Sequence, residues 1–71
     1  MSNNKREYKY IKDGYRATSI AEGFAEDIDT VTVEEEIEAW QYLHDTGLAY
    51  SLQGWFGRTA LRLIEAGVIE R

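Results

Sequence analysis

Cysteine is absent from the 71 residues, which excludes disulfides, cysteine-based metal sites and a thiol nucleophile. Proline is absent too, so helix boundaries are read from capping residues and glycines alone. No apolar run approaches the ~18 residues that a membrane span needs. No signal-type apolar stretch follows Lys5 and Arg6, and a cytoplasmic address is the expectation. With one histidine, His44, every triad would have to use that residue. Between residues 17 and 53 there is no lysine or arginine at all.

What is present describes one small soluble domain. Apolar residues make up 44% of the chain and charged residues 30%. At this length roughly 60% of the unfolded surface can be buried, so the core is thin. Charge is segregated. Residues 1–16 carry five Lys/Arg against two acids, residues 17–53 carry nine acids, and residues 54–71 set three Arg against two Glu. An acidic middle between basic ends can fold back on itself or pair with a second copy; the plainer reading, which general charge patterning favours, is a solvated acidic helix face.

The hydrophobic pattern predicts a mainly α chain: a three-helix domain over 19–71 behind a basic, tyrosine-rich arm over 1–18, with residues 1–6 frayed. Asp13-Gly14 suits a type I′ turn pairing Lys12 with Tyr15 in a weak β-hairpin; an irregular arm, or a helix starting near Asp13, competes with it. Ser19-Ile20-Ala21-Glu22 has the form of a capping box ahead of a helix over 20–28, and Thr32-Val33-Glu34-Glu35 of one ahead of a helix over 33–46. Gly47 and Gly67 are placed to end helices in the left-handed conformation. A third helix is expected over 52–66, after a short helical turn at 48–52. The expected core is Phe24, Ile28, Ile37, Trp40, Leu43, Leu52, Phe56, Leu63 and Ile64. Gly57 within the last helix costs up to ~1 kcal/mol relative to Ala, which suggests close backbone contact there.

Ala39-Trp40-Gln41-Tyr42-Leu43, Asp45-Thr46-Gly47-Leu48-Ala49, Leu52-Gln53-Gly54-Trp55-Phe56-Gly57-Arg58-Thr59-Ala60 and Leu63-Ile64-Glu65-Ala66-Gly67 follow one another in the C-terminal half. This half, roughly residues 33–69, resembles a group of very small proteins encoded by tailed bacteriophages. The resemblance implies a phage origin and action in the host cytoplasm; it implies no biochemical activity.

No catalytic constellation emerges. His44 falls on the apolar face of its helix and reads as a partly buried residue with one satisfied ring nitrogen, not a catalytic or metal-binding one. Glu34, Glu35, Glu36 and Glu38 are accounted for largely by the helix N-terminus. Gly54, Gly57 and Arg58 fit no phosphate-binding motif. The expectation is therefore a non-enzyme without cofactor or metal. Tyr42 and Leu61 fall off the apolar arcs, and Trp55 lies beside Arg58 and Arg62, within reach of a cation–π contact. Trp, Tyr and Arg are the types enriched at interface hot spots, although scattered surface apolars are ordinary and for Trp55 the favoured reading is that it caps a small core. Trp55, Arg58, Leu61, Arg62 and Tyr42 are thus the candidate partner-binding residues, in a protein expected to bind a host or phage protein and to form a homo-oligomer. The alternative is a nucleic-acid-binding module of helix-turn-helix type using Arg58, Arg62 and the basic arm. An acidic mimic of nucleic acid is weaker still. For Arg58 and Arg62 the bland alternative is pairing with acids such as Glu65 or Glu38.

Overall fold

In the computed structural model, which describes residues 6–71, the first helix begins at an aspartate. The end of the chain read above as frayed lies outside the described residues, Arg6 excepted. Four helices follow one another: α1 (Gly14–Glu22), α2 (Val33–Asp45), the single turn α3 (Leu48–Ser51) and α4 (Gly54–Glu65). A 3₁₀ turn, Ile28–Thr30, lies between α1 and α2. The chain is mainly helical with no strand among the described residues. Residues 6–12 form an irregular arm, and no hairpin is made there.

The first helix corrects the expected span of 20–28. Asp13 caps it by accepting the Arg16 backbone N–H at 2.8 Å, so Asp13-Gly14 opens a helix and makes no hairpin turn. Ser19 and Glu22 fall inside α1. Gly23, at φ 79°, ends the helix, donating to the Ile20 carbonyl at 3.1 Å while Phe24 donates to Ser19 at 3.0 Å. This left-handed stop is cheap only for glycine, and it falls inside the span the apolar spacing had marked as helix. Phe24 is consequently 80% exposed.

The second helix follows its signals. Thr32 accepts the Glu35 N–H at 3.1 Å, and Glu35 accepts the Thr32 N–H at 3.0 Å, a complete capping box. Gly47 and Gly67 are both left-handed, and α3 supplies the expected turn before α4. Leu52 caps α3 with extended backbone, which takes it off the arc of α4 and leaves it exposed.

Helix α2 is the centre: α1 lies along it, and α3 and α4 pack on it and on each other. Of the expected core, Trp40, Leu43 and Phe56 are buried, while Ile28, Ile37, Leu63 and Ile64 are partly buried against them. Much of the deepest interior is instead Ala17, Ile20, Ala39, Ala49 and Ala60, closed by Ile11 from the arm and Ile69 from the C-terminal tail. Small residues let the helices approach closely. Gly57 serves the same end, since a Cβ there would come within 3.3 Å of the Tyr50 ring and 3.5 Å of the Ala49 carbonyl oxygen.

Candidate functional site

Two acids of α2, Glu38 and Asp45, hold the arm. Glu38 accepts the backbone N–H groups of Lys9, at 2.8 Å, and Ile11, at 2.6 Å, and that of Tyr10 between them. Burial alone would raise this carboxyl, but the three N–H groups, with Lys12 nearby, hold it below the ordinary glutamate range. At the end of α2, Asp45 accepts from Arg6 Nε at 2.6 Å, from the Tyr8 hydroxyl at 2.7 Å and from Gln41 Nε2 at 3.0 Å. Gln41 also donates to the Glu70 carbonyl at 2.9 Å and accepts the Glu70 N–H at 2.8 Å. Arg6 reaches the Glu70 carboxylate at 2.7 Å. Arm, central helix and tail are thereby tied at one place, and the basic arm folds back on the acidic helix. On the other flank, Arg16 grips Asp27 with both guanidinium nitrogens, at 2.7 and 2.9 Å, and lies 3.8 Å from Glu35.

Gln41 and Glu38 were not singled out from sequence. The signal available for Gln41 was its i, i+4 spacing from Asp45, a pair that hydrogen-bonds across one helical turn. For Glu38 no local signal exists, since its partners lie 27 to 29 residues away.

The candidate partner-binding residues separate into two places. Tyr42 is partly buried, and Tyr8 of the arm meets its ring edge-on at 5.0 Å between centroids. Trp55, Arg58, Leu61 and Arg62 stay together on α4. Trp55 is half-buried, stacked on Phe56 at 4.0 Å and edge-on to Trp40 at 6.2 Å, with its indole N–H donated to Gln53 at 3.2 Å. Among the described residues no cation–π contact to its ring is present, the one such contact being Lys9 over Tyr10. Arg58 and Arg62 are exposed, and among the described residues neither has a carboxylate within ion-pair distance. Glu38 is committed to the arm, and Glu65 shares the helix face without pairing. Leu61 beside them is 46% exposed.

His44 is half-buried, its Nδ1 2.6 Å from the Tyr50 hydroxyl and the two rings edge-on. Burial pushes the Tyr50 phenol up, against an opposing pull from Arg71. No carboxylate orients the imidazole among the described residues. No group of three or more His, Asp or Glu side chains there is placed to hold a metal ion, and no helix is long and apolar enough to cross a membrane.

No curated protein and no solved structure matches the chain. A protein family described as a domain of unknown function, DUF7417, matches residues 16–71, from α1 through the tail and without the arm. The match covers well over half of the sequence, and the chain belongs to this family.

Proposed function

We propose that the chain is a phage-encoded, non-catalytic interaction protein that binds a host or phage protein in the host cytoplasm and also associates with itself. The observation that carries this reading is the unmatched positive stripe of α4. Arg6 and Arg16 are each engaged by carboxylates of their own chain, whereas Arg58 and Arg62, on either side of the half-exposed Leu61 in sequence, make no ion pair among the described residues. A guanidinium left free next to apolar surface is well suited to a partner's carboxylate. The resemblance of residues 33–69 to tailed-phage proteins supports the origin. Nucleic-acid binding has less support, because the arm meant to supply extra phosphate contacts spends Arg6 internally, and affinity grows with the number of phosphates neutralised. In addition, α3 intervenes between α2 and α4, where a helix-turn-helix has only a 3–4-residue turn.

Affinity capture from bacterial lysate, with wild type and an Arg58→Glu/Arg62→Glu variant in parallel, tests the reading. Captured proteins are expected to survive nuclease treatment and to be lost in the variant, with its melting temperature unchanged. Recovery of nucleic acid alone, or equal capture by both proteins, would overturn it.

A further inference from the structure

The most exposed aromatic side chains of the described residues stand side by side. Tyr15 is 85% and Phe24 is 80% exposed, and both line one cleft of about 380 Å³ with Ser19, Ala25 and Glu26. Their exposure has local causes. Tyr15 projects from the side of α1 opposite to Ala17 and Ile20, which are buried. Phe24 follows the left-handed Gly23, where an apolar residue ordinarily packs back on the residue that accepts its N–H. That residue is Ser19, which offers little apolar surface, so the ring stays in solvent. Single exposed aromatics are ordinary; two rings lining one cleft bring apolar surface together amid its polar lining.

The charge around the cleft selects the occupant. Glu26 lines it, and Glu22 continues the Tyr15–Ser19 stripe of α1 by helical spacing; neither has an ion-pair partner among the described residues. The one cation there, Arg16, is taken up by Asp27. The cleft therefore sets two aromatic rings beside carboxylates that have no ion-pair partner, Glu26 in its lining and Glu22 near it. The stripe of α4 is its complement, with Leu61 between Arg58 and Arg62. Within one chain the two are not joined: α1 packs chiefly on α2 and α4 on α2 and α3, and among the described residues no ion pair links Arg58 or Arg62 to Glu22 or Glu26.

We propose that the Tyr15–Phe24 cleft docks the α4 stripe of a second copy of this chain, taking Leu61 between the two rings and setting Arg58 and Arg62 against Glu22 and Glu26. The inference rests on the reading of α4 as a binding surface and names one occupant of it. Opposite charges at the rim make the association salt-sensitive.

Sedimentation velocity on the purified protein over a range of concentrations, at low and high salt, provides the test, with two charge-reversed variants. One is Glu22→Lys/Glu26→Lys and the other Arg58→Glu/Arg62→Glu, all at exposed positions. Wild type is expected to self-associate more weakly as salt rises, and each variant alone to associate roughly tenfold more weakly or worse, since like charges then face each other. An equimolar mixture of the two variants restores complementarity at both faces and is expected to associate again. Tyr15→Ser/Phe24→Ser is expected to abolish association at any salt, with helix content by circular dichroism retained. A wild type that stays monomeric at high micromolar concentration overturns the proposal, as does a mixture no better than its components. If the protein is monomeric yet capture of a partner still depends on Arg58 and Arg62, self-association falls and the binding of a partner protein by α4 stands. If self-association follows the charge reversals while no partner is captured, the reverse holds.

Discussion

At the scale of single residues, the polar interior of this protein turns on Gln41, which is 7% exposed. Its amide pairs with both backbone groups of Glu70 and with Asp45, using donor and acceptor together. Replacing it with leucine keeps the bulk and removes all three partners at once. These hydrogen bonds are part-buried, and leaving a fully buried group unpaired costs about 1–3 kcal/mol, so Gln41→Leu is expected to lower the unfolding free energy by roughly 1–2 kcal/mol in urea denaturation. Glu38 offers a pH-dependent counterpart. Its folded carboxyl lies below the ordinary glutamate value, about 4.3 in unfolded chains. The stability it contributes is therefore complete above that value and is lost as pH falls through the folded one. Asp27, held down by its hydrogen bonds from Arg16, has the same sign. Hydrogen exchange should show the Lys9, Tyr10 and Ile11 amides losing protection in acid before those of α4. Glu38→Ala should reproduce that loss at neutral pH and flatten its pH dependence.

Among the elements, α1 shows how a stop signal overrides an apolar repeat. Ile20, Phe24 and Ile28 are spaced four apart as a helix face would be, yet of the three only Ile20 lies in α1. A Cβ at Gly23 would meet nothing within 4 Å, so the effect of an alanine there reads the backbone alone. Forcing a residue with a Cβ into the left-handed region costs about 1–2 kcal/mol. Gly23→Ala should therefore destabilise by about 1 kcal/mol, seen as a shifted denaturation midpoint with an unchanged slope. Helix α2, by contrast, was legible almost to the residue, because its cap and its apolar stripe agree within one stretch of chain. The α4 site was legible in part: Arg58, Leu61 and Arg62 share a face by spacing alone. The loss of Tyr42 to the arm was not readable, since Tyr8 lies more than 30 positions away.

For the whole molecule, closure of a thin core by both chain ends is the governing feature. A domain of this length is stable by about 4–10 kcal/mol on a per-residue scale, so either end matters. Ile11 is 1% and Ile69 is 3% exposed, and deleting a buried isoleucine to alanine costs about 2–5 kcal/mol. Ile69→Ala is expected to remove a large share of total stability, with a melting temperature lower by ten degrees or so on the scale of small domains. Ile11→Ala should behave alike. Thermal unfolding followed by circular dichroism checks both.

By itself the sequence determined the helical class, the start of α2 and the glycine stops after α2 and α4, and it left open whether the basic arm returns to the acidic helix. The determined features are properties of residues near one another, for which periodicity and capping are sufficient. Only the tertiary structure decided that alanines and two chain-end isoleucines would fill the interior, that Glu38 and Asp45 would hold the arm, and that Phe24 would stand beside Tyr15 in solvent. Helical spacing tells which side chains share a face and is silent about what that face meets. Arg6 and Glu70 are 64 positions apart, and their pairing exists because packing on α2 brings both ends of the chain to one place.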